Sequence, residues 1–146
     1  MKVYFASDHA GYELKTSLIE YVKFLGYEVE DLGPYQYDAN DDYPITIEPL
    51  AKKLLHEDDN VGIIIGGSGQ GEAIVANRHI GIRATEYYGG NLDIVRLVRE
   101  HNDSNVLSLG ARFVSLEEAK KAVKLFLTTP FSNEERHIRR INEIDK

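Results

Sequence analysis

Val61-Gly62-Ile63-Ile64-Ile65, with Gly66-Gly67-Ser68-Gly69-Gln70-Gly71-Glu72 directly behind it, narrows the folds open to this chain more than any other stretch. The five leading residues are apolar at both alternating sets of positions, so the strand they form has no side to give to water. Such a strand belongs in the middle of a parallel sheet covered by helices on both faces. The glycines end it in a tight turn, and a helix is expected from there through about Asn77.

The rest of the chain alternates in the way a covered parallel sheet needs. Val3-Tyr4-Phe5-Ala6 reads as a buried strand. Tyr12 to Leu25 carries Leu14, Leu18, Tyr21, Val22 and Leu25 on one helical face, with Gly26 as its stop. Tyr27-Glu28-Val29-Glu30 alternates like a strand, and Asp31-Leu32-Gly33-Pro34 ends it. Residues 35–43 read as a polar and aromatic surface loop, and Pro44 as the first residue of a helix through about Glu57. Ile82-Arg83-Ala84 is expected as a strand, Leu92 to Arg99 as a helix, and Val106-Leu107-Ser108-Leu109 as a strand. Ser115-Leu116-Glu117-Glu118 and Ser132-Asn133-Glu134-Glu135 match the capping box, each opening a helix. The order βαβαβαβαβαα predicts a three-layer α/β/α, Rossmann-like, doubly wound and mostly parallel sheet in one domain spanning 1–146.

Composition removes several classes of function. The 146 residues hold 17 basic and 24 acidic side chains, a net charge of −7, which predicts no nucleic-acid partner. No apolar run approaches the roughly 20 residues of a membrane helix. Met1-Lys2 leads into a short strand rather than a leader peptide, so a cytoplasmic protein without membrane partners is expected. There is no Cys, which excludes disulfides, thiolate nucleophiles and Cys-ligated zinc.

In a doubly wound sheet ligands sit beyond the carboxyl ends of the strands, so chemistry is sought in the loops there. Ser7-Asp8-His9-Ala10-Gly11 follows the first strand. Asp8 beside His9 can relay protons or orient a hydroxyl, although a helix cap is at least as common a role for such residues. The glycine loop at Gly67, Ser68, Gly69, Gln70 and Gly71 can aim several N–H groups at an anion. It lacks the Gly-Lys-Ser/Thr of a Walker loop, and Glu72 stands where the dinucleotide fingerprint needs its third glycine. Glu72 in the first helical turn would ordinarily serve the helix dipole. Behind an anion-binding loop it would repel a phosphate. It fits a base that removes a proton while the loop holds the oxyanion so created. His101 and Asn102 follow the fourth strand's helix, where a histidine also suits the dipole. Arg136 and Arg140 lie four apart on one helical face and can grip one phosphate, and Arg112 can add a third cation. Pairing with Glu134, Glu135 and Glu143 is the commoner fate of such arginines. His56 and His79 read as surface residues.

Together these stretches resemble the ribose-5-phosphate isomerase type B family, which includes galactose-6-phosphate isomerase subunits. The motifs are Ser7-Asp8-His9-Ala10-Gly11, Asp31-Leu32-Gly33, Asp42-Tyr43-Pro44, Gly67-Ser68-Gly69-Gln70-Gly71, Ala76-Asn77, Gly81-Ile82-Arg83, His101-Asn102 and Arg136-His137. The resemblance implies an intramolecular oxidoreductase that interconverts ribose 5-phosphate and ribulose 5-phosphate through an enediolate, with no cofactor and no metal. It also implies a homodimer with active sites shared between subunits, or a tetramer. The C-terminal helix, about 133–143, would then reach a neighbouring subunit. Many members carry a catalytic Cys where this chain has Gly66; another branch lacks it and uses a Glu after the loop, the place of Glu72. By resemblance Asp8 and His101 open the sugar ring, and Ser68 moves a proton between O1 and O2. The loop N–H groups hold the enediolate. His9, Asn102, Arg112, Arg136 and Arg140 position hydroxyls and phosphate. Alternative readings are an isomerase of galactose or allose 6-phosphate and a non-catalytic sugar-phosphate sensor.

Overall fold

The central place expected for Val61–Ile65 is where the chain puts it. The computed structural model describes residues 1–146. Its elements are β1 (Lys2–Ser7), α1 (Tyr12–Phe24), β2 (Glu28–Asp31), α2 (Tyr43–Leu54), β3 (Val61–Gly66), α3 (Gln70–Asn77), β4 (Ala84–Tyr87), α4 (Asp93–Asn102), β5 (Val106–Gly110), α5 (Leu116–Thr128) and α6 (Glu135–Ile144). The five strands form one sheet in the order β2-β1-β3-β5-β4. Every neighbouring pair is parallel, so the sheet is wholly rather than mostly so.

Strand periodicity divides the core in two. Val3 and Phe5 of β1, Ile63 and Ile65 of β3, and Leu107 and Leu109 of β5 pack with Leu18, Val22, Val123 and Phe126 of α1 and α5. Tyr4, Ala6 and Ile64 face the other way, onto Ile47, Leu50 and Leu54 of α2 and Ala73 and Ala76 of α3. The direction of winding reverses at β1, while the strands stay parallel: from β1 the chain goes to β2 on one side, then crosses to β3 on the other. That switch point opens a crevice at the carboxyl edge. No helix is long and apolar enough to cross a membrane.

Several boundaries differ from expectation, each for a local reason. The fourth strand is not Ile82–Ala84 but Ala84–Tyr87, registered against Val106–Leu109. Ile82 is buried from a turn, its N–H on the His79 carbonyl, and Arg83 is held by the carbonyls of Asn102 and Asp103. The α4 helix runs on to Asn102, which puts His101 inside its last turn rather than beyond it. Ser115 caps α5 by accepting the Glu118 N–H at 3.1 Å. The second capping box does not form: Asn133 takes a left-handed φ of 58°, Glu134 becomes the cap residue, and Ser132 Oγ accepts only the Glu134 N–H. The α2 helix ends at Leu54, short of Glu57, where turns follow.

The β1–α1 turn leans directly on β3. A Cβ on Gly11 would stand 2.5 Å from the Ile65 carbonyl oxygen, and backbone cannot yield as a side-chain tip can. Gly11→Ala is expected to lower stability by about 1–3 kcal/mol, the usual cost of overpacking. Urea denaturation checks this, and an unchanged midpoint would mean that the turn is free to move.

Candidate active site

The end of β1 is fixed on both sides before any functional side chain enters. The Ser7 N–H donates to the Gly33 carbonyl and the Asp8 N–H to that of Ile65, both at 3.1 Å. Asp8, nearly buried, turns its carboxylate back to accept the Gly11 N–H at 3.1 Å. It therefore fills the local turn role as well as lying in the crevice.

Glu72 reaches the same crevice from the first turn of α3 and is 3% exposed. Its carboxyl group lies over the end of β3, in the space that a Cβ on residue 66 would fill. Gly66 thus makes room for the acid, and any side chain there, cysteine included, would have to displace it. Burial pushes the Glu72 pKa up from the ordinary 4.5 to about 7. A hydrogen bond with Asp8 and the negative charges of Asp8 and Asp41 add to the rise, while the residue's own backbone N–H opposes it. An acid so placed changes charge near neutrality and can take a proton from carbon and give it back.

The glycine loop wraps the mouth of this crevice. The N–H groups of Gly67, Ser68 and Gly69 have no backbone partner, which leaves them for an anion. Gly69 sits at φ 81°. Its carbonyl accepts the Ser108 hydroxyl at 2.5 Å, which ties the loop to β5. Ser68 Oγ accepts the Gln70 N–H at 3.3 Å and remains half-exposed; the Gln70 side chain faces solvent and Gly71 is crossed by the Tyr43 ring. Arg112, just past β5, lays its guanidinium over Gly67 and makes no ion pair. Its N–H bonds the Gly67 carbonyl at 3.0 Å.

His9 carries a feature that the sequence reading missed. Asp41, in the stretch read only as a surface loop, accepts both the His9 backbone N–H at 3.2 Å and its Nδ1 at 2.7 Å. A lone acid in a polar loop gives no periodic or motif signal. A side chain–backbone double contact across 32 residues is visible only once the loop folds over β1.

The other expected residues stand elsewhere. His101 and Asn102 end α4, immediately before β5 begins, so they lie at the amino edge of the sheet. Along β5 that is roughly 15 Å from the carboxyl edge at about 3.3 Å per residue. The α6 helix joins them there. The His137 ring stacks on that of His101, with centroids 4.4 Å apart, and Asp145 accepts the Gly81 N–H. Arg136 is paired with Glu134 at 2.9 Å and Arg139 with Glu135 at 3.1 Å, as the solvated-helix reading has it; Arg140 makes no ion pair. One chain therefore gathers Asp8, His9, Ser68, Glu72 and Arg112 on one edge, and His101, Asn102, Arg136 and Arg140 on the other. His79, read as a surface residue, is half-buried with Nδ1 near the Val75 carbonyl, whereas His56 is exposed. No three His, Asp or Glu side chains are grouped to hold a metal ion.

Fold and site together define an α/β protein with a buried carboxyl group in the crevice at the switch point of its sheet, behind a loop of unpaired backbone N–H groups. Its relatives narrow that class. The profile of the ribose/galactose isomerase family matches residues 3–144, and the chain belongs to that family. It is 42% identical over 142 residues to the ribose-5-phosphate isomerase B of Mycobacterium tuberculosis, covering 97% of this chain and 86% of that protein. Among solved structures, the ribose-5-phosphate isomerase B of Mycoplasma genitalium with bound ribulose-5-phosphate superposes with a TM-score of 0.92 at 39% identity, over 98% of this chain and 93% of that one. The enzyme of Thermotoga maritima gives 0.91 at 41%, over 99% and 97%.

The buried Glu72 carboxyl has a consequence for stability. Its folded pKa lies above the unfolded one, so its contribution is fully present below about pH 4.5 and is lost as pH rises through about 7. Above that, the folded state must bury a charge. Glu72→Gln has no charge to bury. It is expected to be more stable than the parent by roughly 1–3 kcal/mol at pH 8.5, with the difference fading at pH 4.5. Urea midpoints at both pH values measure it. An equal difference at both would show that the carboxyl group is not shifted by burial.

Proposed function

We propose that the protein is a cofactor-free aldose–ketose isomerase that interconverts ribose 5-phosphate and ribulose 5-phosphate. The observation that carries this is the Glu72 carboxyl, held out of water behind a loop of free N–H donors with its pKa near 7. A base removing a proton beside a carbonyl needs both: a proton affinity near working pH, and donors for the oxyanion that appears as the proton leaves. The pentose follows from the relatives, which are named ribose-5-phosphate isomerase B, one of them holding ribulose-5-phosphate.

In this reading the ring first opens to the aldehyde. Glu72 takes the C2 proton and the electron pair moves to O1, where the N–H groups of the glycine loop meet the enediolate. Ser68 passes a proton from O2 to O1. Protonation at C1 by Glu72 then leaves a carbonyl at C2. A single oxyanion donor contributes about 2.7–4 kcal/mol in other enzymes, so several backbone donors supply a large part of the acceleration. Glu72→Gln is expected to keep phosphate binding and lose kcat by at least about a hundredfold, since an amide cannot accept the proton. Turnover of ribose 5-phosphate against allose and galactose 6-phosphates by the parent tests the substrate. A preference for a six-carbon phosphate would replace the pentose reading.

The separation of the two residue groups supports a site built from two copies of the chain. The α6 helix buries only His137 against its own chain, and Ile138 and Ile144 stay exposed. A ten-residue helix with one buried side chain gains little from its own chain, because short helices draw their stability from packing. Ile74 and Ile80, on and just after α3, and Ile94 and Leu97 of α4 are also left exposed. A second copy brings His101, Asn102, Arg136 and Arg140 to the Glu72 edge: His101 with Asp8 for ring opening, the arginines for the phosphate. Co-expressing Glu72→Gln with His101→Asn tests this. Each variant alone is inactive, but half of randomly mixed dimers would carry one intact site of two, which restores about a quarter of parent activity. No recovery in isolated heterodimers would place both residues in one chain's site.

A further inference from the structure

Asp41 lies in none of the motifs, yet its side chain reaches from the β2–α2 connection to a residue of the site. The connection is pinned at its start by Lys15, which is 1% exposed and donates to Asp31 Oδ1 at 2.9 Å and to the Pro34 carbonyl at 2.6 Å. The Tyr12 hydroxyl holds the Tyr35 carbonyl at 3.1 Å, and the far end becomes the first turn of α2 at Tyr43. Between these anchors the chain crosses the carboxyl edge and sets Asp41 against His9. Its side chain is 9% exposed, and Oδ2 is buried with no partner, so the carboxylate has His9 as its only counterpart.

A carboxylate only accepts hydrogen bonds, so the 2.7 Å contact assigns a proton to His9 Nδ1. The backbone N–H on the same Oδ1 and the Tyr37 ring, edge-on at 6.1 Å, hold the imidazole in that pose. The nitrogen left for a ligand is Nε2. We propose that Asp41 is the positioning residue of the site's phosphate grip: it fixes His9 as an Nε2–H donor which, beside Arg112, takes the phosphate of the sugar. This rests on the reading of His9 as a substrate contact.

The groups facing the ring agree on its charge. Asp41, first through its hydrogen bond and then through its charge, and Asp8 raise the His9 pKa above 6.5; partial burial and Arg112 pull the other way and are outweighed. His9 therefore holds its proton to higher pH than a free imidazole does.

Asp41→Asn separates this from a folding role, because an amide oxygen can still accept the Nδ1–H but brings no charge. Ring NMR is expected to show the His9 titration moving down toward 6.5 in the variant. The KM for ribose 5-phosphate is expected to match the parent at pH 6 and to rise about tenfold at pH 8, with kcat changed less. Asp41→Ser, smaller and equally uncharged, is expected to repeat the pattern should the amide pack badly. His9→Ala is the control for the underlying reading. If it leaves KM unchanged, His9 does not touch substrate and the proposal falls with that reading. If His9→Ala raises KM while both Asp41 variants leave the titration and the pH dependence of KM as in the parent, the proposal alone is overturned. Lower stability with an unmoved titration also overturns it, since that is what a purely structural residue does.

Discussion

A carboxyl group kept from water at the end of the middle strand is the constraint on which the rest of this structure depends. Burying an ionisable group is tolerated only where its neutral form is favoured or its charge is met. Here the neutral form is favoured: β1 and β3 close around Glu72, and Asp8 hydrogen-bonds it instead of offering a cation. The glycine at 66 follows from that, because the acid occupies the space its side chain would need.

Much of this could be read from residues alone, for physical reasons that also mark where reading fails. Val61–Ile65 announces its place because burial on two faces leaves no polar position. The β4 strand was misplaced because Ile82 is apolar for a different reason: it is buried from a turn, and composition cannot tell the two apart. The Ser132 box has the right letters, but Asn133 at positive φ turns the chain before the helix begins. Glu72 stood out because its charge contradicts the loop before it, a conflict of the kind that functional sites tolerate. Asp41 did not, since its partner is distant in sequence and its neighbours are equally polar.

Electrostatics in the crevice presents a second conflict. Three carboxyl groups, Asp8, Asp41 and Glu72, surround a place meant for an anionic sugar phosphate, in a chain of net charge −7. Two features reconcile this. Glu72 is half-neutral near pH 7, so the standing charge is smaller than the count of acids. Asp41 is spent on a histidine, and its field does two things at once: it favours the cation on His9 and the proton on Glu72. One acid from one loop thus raises the proton affinity of both His9 and Glu72.

A doubly wound sheet offers its carboxyl edge to ligands because turns there are free to vary, whereas the amino edge is taken up by returning helices. This chain keeps to that rule with its base and its anion loop, then places His101, Asn102 and two arginines at the opposite edge. Within one subunit that arrangement is idle: the residues lie a strand's length from the crevice, and α6, which carries the arginines, has one buried side chain to hold it. In the proposed two-copy site each oddity would disappear. The exposed apolar side chains of α3, α4 and α6 would then be covered, and two further arginines would join Arg112 and His9 at the acidic crevice. A phosphate drawn between Arg112 and His9 of one subunit and Arg136 and Arg140 of the other would itself join the two halves, so substrate binding and subunit association favour each other by linkage.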